Sequence, residues 1–313
     1  MIPRNLPEAL HQYLTMRRAL GVELYRPGKA LESFVRFVHA DGQPTLTTDV
    51  ALRWAMLPVD AQPATRAARL GIVRGFARYC SAFWPATEVP PEGLLSGHYQ
   101  RKAPFIFTEK QIRAMLDATA ALRTTSGLRP LTYKTAFGLM SSTGLRISEV
   151  LALEEADVDL TNKLLLVRNT KFGKTRWVPL HDSSARALWC YRRERDARMP
   201  TGRASSYFIG ETGNPVSFSA ARSAFHHVLR EVGLYEQQGR RPRMHDLRHT
   251  FIVATVAGWY RRGVNVDARM PALSTYVGHA HVADTYWYMS AAPELLRWTA
   301  RRVERATKGR KHS

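Results

Sequence analysis

The chain has 313 residues, 45% of them hydrophobic, and 46 Lys and Arg against 26 Asp and Glu give a formal net charge of +20. That length exceeds one ordinary domain and suffices for two modest cores, while the charge favours a polyanionic partner such as nucleic acid, because each cation that neutralises a phosphate releases condensed counterions. The two cysteines, Cys80 and Cys190, allow neither a disulfide framework nor a cysteine-built metal site, and no apolar run approaches the about 18 residues of a membrane span.

In chain order, apolar residues recur at helical spacing over 6–20, 31–38, 50–56 and 64–83, with Gly21, Gly42 and Pro58 as breaks, which predicts four helices in a small first domain over 1–84. The pattern dissolves between 85 and 106, where Pro85, Pro90, Pro91, Gly93 and Gly97 lead into Tyr99-Gln100-Arg101-Lys102, so this stretch reads as an extended basic linker. A second domain over 107–313 opens on Thr108-Glu109-Lys110-Gln111, which has the form of a capping box. Further helices are expected over 131–142 and 148–153. Two β-type runs, 164–167 and 175–180, are joined through Gly173 as a hairpin. Helices follow over 183–199, 217–232, 245–259, 269–277 and 293–307. The fold class is therefore mainly α with a small β-hairpin or sheet (α+β). The opening residues Met1-Ile2-Pro3-Arg4-Asn5 lack the apolar run of a signal peptide, and a cytoplasmic location is expected.

Four separated stretches carry chemistry. In Thr143-Gly144-Leu145-Arg146-Ile147-Ser148-Glu149 an arginine follows a helix-terminating glycine and precedes a new helix, so its guanidinium can project from a turn into a cleft. In Met244-His245-Asp246-Leu247-Arg248-His249-Thr250, His245 and Arg248 are three apart and share a helix face, from which both can grip one oxyanion. His245 and His249 are also four apart, but a zinc site would need the missing glutamate of a His-Glu-x-x-His pattern and a third ligand. The turn between the two β-runs carries Lys171 and Lys174. Val277-Gly278-His279 is followed by Tyr286 and Tyr288.

These segments, in this order, resemble the boxes of the tyrosine recombinase (phage integrase) family, which includes Xer-like recombinases and integrase-type transposases. The likeness covers about 107–300 and takes in the first-arginine box at Arg146, the His-x-x-Arg box at His245 and Arg248, and the Leu-Gly-His box at His279 with Val277 for leucine. The spacing from His279 selects Tyr288 over Tyr286. Aligning Trp177-Val178-Pro179-Leu180 with the family's Val-Pro-Leu strand puts Lys171 at the catalytic lysine and Lys174 at a backbone-contact position; Phe172 replaces the usual glycine, which leaves the choice between the two lysines open.

The resemblance implies a site-specific recombinase that cleaves and rejoins double-stranded DNA through a 3′-phosphotyrosyl intermediate, without cofactor or metal. The chemistry suits the residues. Arg146 and Arg248 can donate paired hydrogen bonds to the nonbridging oxygens of a phosphodiester as charge develops. A tyrosine with an unperturbed pKa of about 10 needs a base or surrounding positive charge to attack, for which His245 is the candidate, and a poor 5′ hydroxyl leaving group needs an acid, a task the resemblance gives to Lys171. His279 would steady the phosphate. Arg101, Lys102, Arg240, Arg241 and Arg243 are expected DNA-backbone contacts. The likeness further implies a clamp of two domains around the duplex, a tetramer in the DNA synapse and possible accessory proteins. Type IB topoisomerase-like relaxation and a catalytically silent DNA-binding protein are the alternatives.

Overall fold

The computed structural model describes residues 2–22, 24–42, 45–97, 103–168, 175–199, 205–237, 239 and 241–291, with 289–291 described by backbone alone. Two compact units, Met1–Lys102 and Ala103–Ser313, divide the chain. Helices dominate and one small antiparallel sheet accompanies them, the expected class.

In the first unit the helices are α1 (Leu6–Ala19), α2 (Tyr25–Ala40), α3 (Thr48–Met56) and α4 (Pro63–Cys80). Their starts follow from local chemistry. The Asn5 side chain accepts the Glu8 N–H at 2.9 Å to cap α1, the Thr47 hydroxyl caps α3, and Pro63 opens α4, where its missing N–H has no intrahelical partner to lose. Helix α2 begins well before its apolar spacing does, because Pro27 falls in the first turn, which tolerates its fixed φ. The inward faces meet in a core built on Leu31, Phe34, Trp54 and Phe76, with Phe34 edge-on to Trp54 at 5.3 Å.

The second unit begins with α5 (Glu109–Ala118), held by the expected capping box: the Thr108 hydroxyl accepts the Gln111 N–H at 3.2 Å and the Gln111 side chain accepts the Thr108 N–H at 2.8 Å. There follow α6 (Leu128–Thr143), α7 (Ile147–Leu151), β1 (Val158–Asp159), β2 (Leu164–Val167), β3 (Arg176–Pro179), α8 (Asp182–Arg198), α9 (Phe218–Glu231), α10 (Met244–Arg261), α11 (Val266–Val277) and α12 (Ala283–Ala291). The strands run antiparallel in the order β1-β2-β3, with Leu165 opposite Val178 and Leu166 opposite Trp177. That register turns Leu165, Val167 and Val178 inward and leaves Trp177 outside.

Helix α6 runs through the core of this unit, with Phe137 fully buried and edge-on to Phe225 of α9 at 5.4 Å. Helix α10 is buried on most of its circumference, including Leu247, Ile252, Val253 and Val256, and so brings its polar residues into the interior as well. A second cluster gathers Ile252, Val256, Met270 and Leu273 with Tyr288 of α12. Cys80 is buried and Cys190 exposed, both as free thiols. Among the described residues no helix is long and apolar enough to cross a membrane. The turn expected to carry Lys171 and Lys174, the basic residues Arg101, Lys102 and Arg240, and the helix expected over 293–307 lie outside the described residues.

Candidate active site

The site is built where the end of α6, the starts of α7 and α10 and the end of α11 meet the third strand. At the end of α6 the chain turns through Gly144 in the left-handed region, φ +68°, and a Cβ there would stand 2.5 Å from Cδ1 of Phe251. Glycine meets both demands. The turn delivers Arg146 to the N-cap of α7, whose N–H is accepted by the Glu149 carboxylate at 3.0 Å. A matching arrangement opens α10, where the Asp246 carboxylate accepts the Arg243 N–H at 2.7 Å. Both acids sit three residues beyond a cap, and both hold a first turn that carries a basic candidate residue.

Glu149 lies between two guanidiniums. It takes Nη1 of Arg146 at 2.8 Å and both terminal nitrogens of Arg176, at 3.2 and 3.0 Å. Burial pushes its pKa up, and the hydrogen bonds and charges of Arg176 and Arg146 more than offset this, leaving it below the usual carboxylate value. The same two arginines reach the end of α11: Arg176 Nε donates to the Tyr276 carbonyl at 2.9 Å and Arg146 Nη2 to the Gly278 carbonyl at 3.1 Å. Gly278 has φ +69°, and a Cβ on it would stand 2.6 Å from Arg176 Nη1. The segment that bears His279 is thus tied to α7 and β3.

Arg248 is fully buried. Its Nη1 donates to the Gly144 carbonyl at 2.8 Å, while Nε and Nη2 have no hydrogen-bond partner among the described residues. Burial and the neighbouring Arg146 charge lower its pKa to about 10. His279 Nδ1 lies 2.7 Å from the buried Thr285 hydroxyl, and its ring is parallel to that of Tyr288, 6° apart in plane with centroids at 6.2 Å. Burial, then Arg248 and Arg146, lower the His279 pKa to about 3. The pKa of His245, an exposed residue, is lowered to about 4 by desolvation and by Arg248, Arg146 and Arg243.

The structure therefore brings Arg146, His245, Arg248, His279 and Tyr288 into one cluster. Tyr288 is 3% exposed and its hydroxyl lies 2.6 Å from Nδ1 of His249, one helical turn beyond His245. The histidine rings stand edge to face, 88° apart with centroids at 4.5 Å. Among the described residues no group of three or more His, Cys, Asp or Glu could hold a metal ion. Arg243 is largely exposed, and exposed Arg241 lies 5.1 Å over the ring of Tyr235. Tyr286, the other tyrosine near His279, is exposed, with its hydroxyl 3.3 Å from Asp267.

Sequence reasoning did not single out Glu149 or Arg176, and it weighed His249 only as a candidate zinc ligand beside His245. Each left a signal: Glu149 in a capping position after Arg146, Arg176 as a charge on the inward face of an alternating strand, and His249 on the same helix face as His245.

The model of the phage integrase family matches residues 106–294. A protein of Sinorhizobium fredii named as an integrase/recombinase is 40% identical over 303 residues, 95% of this chain and 96% of the relative. The tyrosine recombinase XerD of Caulobacter vibrioides is 29% identical over 241 residues, 75% of this chain and 73% of XerD. Among solved structures, XerH recombinase bound to its palindromic difH substrate in a post-cleavage complex shares the fold with a TM-score of 0.67 at 17% identity, over 96% of this chain and 85% of that one. The Tn1549 transposon integrase in complex with a circular intermediate DNA does so with a TM-score of 0.66 at 18% identity, over 96% and 99%. The chain belongs to the phage integrase family and is a tyrosine-type site-specific recombinase.

Proposed function

We propose that this recombinase cuts and rejoins double-stranded DNA by transesterification, with Tyr288 as nucleophile and a 3′-phosphotyrosyl bond as intermediate. The observation that carries this reading is the buried Tyr288 hydroxyl, 2.6 Å from His249, in the cluster that holds the half-satisfied guanidinium of Arg248. A fully buried cation with two unused donors is a preorganised seat for an oxyanion, and such donors strengthen as charge accumulates in a pentacoordinate transition state. Arg146 and Arg248 take the nonbridging oxygens, while His245 and His279, uncharged at neutral pH, add hydrogen bonds. Lys171 protonates the departing 5′ oxygen, with Lys174 as the alternative on the same turn. The product keeps the backbone bond energy in a covalent link, so a 5′ hydroxyl from another strand can reverse the step without a nucleotide cofactor or metal.

The exchange serves a mobile element, in integration, excision or transposition. Support comes from the relative named as an integrase/recombinase, which matches nearly the whole chain, and from the fold shared with a transposon integrase. Four protomers hold two duplexes in the synapse, and Arg101, Lys102, Lys174, Arg240, Arg241 and Arg243 contact the backbone. Such work on DNA belongs in the cytoplasm.

The test is denaturing capture from a pool of nicked duplexes with randomised cores. Wild-type protein should retain DNA through a bond that survives detergent, Tyr288→Phe should retain none under denaturation yet bind natively, and sequencing the retained DNA yields the site. Native binding without any covalent adduct would favour a silent binder. Relaxation of supercoiled plasmids lacking the recovered site would favour the topoisomerase reading.

A further inference from the structure

We propose that His249 is the catalytic residue that takes the proton from Tyr288 during strand cleavage and returns it during rejoining, with Asp246 orienting its ring. This rests on Tyr288 being the nucleophile.

The geometry forms a chain of three side chains. Tyr288 Oη meets Nδ1 of His249 at 2.6 Å, and Nε2 of the same ring lies 4.0 Å from Oδ1 of Asp246. That oxygen is buried and makes no hydrogen bond among the described residues, with Nη2 of Arg243 at 3.6 Å as its other charged neighbour, whereas Oδ2 is engaged in capping α10. A buried acceptor facing Nε2 favours the tautomer with its proton there, which leaves the Nδ1 lone pair for the phenol. A separation of 4.0 Å is an electrostatic contact rather than a hydrogen bond, so Asp246 acts through its charge and through the position of the helix turn. Hydroxyl, imidazole and carboxylate are thus ordered as in the nucleophile–base–orienter arrangement that activates serine elsewhere, here on a tyrosine.

Placement separates this residue from His245. His245 is exposed and lies within the field of Arg248 and Arg146, where a phosphate would lie, while His249 is buried and its ring packs on Tyr288 and Trp287. Burial, then His245, Arg243, Arg248 and His279, lower the His249 pKa to about 3, so the ring is neutral and able to accept in the free protein. A bound phosphodiester brings negative charge among those same cations and makes the acceptor a stronger base at the moment it is needed.

The step balances. The Oη–H bond breaks and the proton passes to Nδ1 as the Oη–P bond forms. The P–O5′ bond breaks, its electron pair leaves with the 5′ oxygen, and that oxygen takes a proton from the acid assigned to Lys171. In rejoining, an incoming 5′ hydroxyl attacks phosphorus and loses its proton to the now neutral amine of Lys171, the Oη–P bond breaks, and the imidazolium of His249 gives the proton back to the departing phenol oxygen.

The test uses full-length protein and a duplex recovered by denaturing capture. His249→Gln keeps a hydrogen-bonding side chain of similar size but cannot take a proton. Its rate of adduct formation should fall about 100-fold while DNA affinity stays within about twofold. Replacing Tyr288 by 3,5-difluorotyrosine, whose phenol is more acidic, should restore the His249→Gln rate at least about tenfold and change the wild-type rate little. A bridging 5′-phosphorothiolate, which needs no acid for its leaving group, should not rescue it. The proposal is overturned if the Gln variant cleaves within about threefold of wild type, if the sulfur substrate rescues it, or if the fluorinated phenol does not. Should His249→Gln fail to fold, Asp246→Asn is read instead, with a loss of about tenfold expected and the same rescue by difluorotyrosine required. Absence of a wild-type adduct overturns both this proposal and the nucleophile assignment on which it rests.

Discussion

Glu149 accepts from two arginines at once, and the consequence of removing it differs from that of removing either donor. In Glu149→Ala, Arg146 and Arg176 face each other across a mostly buried gap with no carboxylate between them, and an uncompensated buried charge costs roughly 3–5 kcal/mol. Chemical denaturation should show that loss, together with a fall in cleavage beyond what stability explains, because Arg146 loses its orientation. Gly278→Ala acts on the same clamp from the other side. The left-handed backbone costs about 1–2 kcal/mol with a Cβ, and the methyl displaces the Arg176 guanidinium, so cleavage should drop more than the melting temperature. At this scale the sequence was partly legible. Arg146, His245, Arg248, His279 and Tyr288 are marked by residue type and spacing, and the structure brings them together. The roles of Glu149, Arg176 and His249 were not read, since their importance lies in contacts across 27 to 101 positions of chain that no local pattern encodes.

The elements were easier to read than their ends. Long amphipathic helices such as α4 and α9 announce themselves by period, and the Thr108–Gln111 box marks the start of α5. Strand β1 escaped notice because two residues show no alternation, and α12 because Tyr286 is exposed, Trp287 half-buried and Tyr288 buried, so its aromatic residues form no single apolar stripe. The turn from α6 to α7 is the element junction on which the site depends. A Gly144→Ala change sets a Cβ against Phe251 and strains the turn, which should destabilise the protein by about 1–3 kcal/mol. Combining it with Phe251→Ala removes the clash, so a double-mutant cycle should return a favourable coupling energy; strict additivity would mean that the contact is not the cause.

On the scale of the whole molecule, charge and protonation govern behaviour. With a net charge of +20, DNA binding should weaken steeply with salt, and a log–log plot of affinity against salt concentration should be linear with a slope of about −5 to −9 if roughly 6–10 phosphates are neutralised. Stability should depend on pH in a stated direction. His245, His249 and His279 have folded pKa values near 3 to 4, below the ordinary value of about 6.5, so the unfolded chain binds protons more readily. Their contribution is complete above pH 6.5 and is lost as pH falls from there towards 3 to 4. The wild-type melting temperature should therefore be flat above neutrality and fall below pH 6.5, and His249→Gln should fall less steeply over that range.

The most direct measurement is the chemical identity of the bond between protein and DNA. After denaturing capture and nuclease digestion, mass spectrometry of the tryptic peptides should find a nucleotide joined through a 3′ phosphate to Tyr288, and no adduct in Tyr288→Phe. A covalent nucleotide on any other side chain, or undiminished capture by the Phe variant, would contradict the assignment of Tyr288 as the nucleophile.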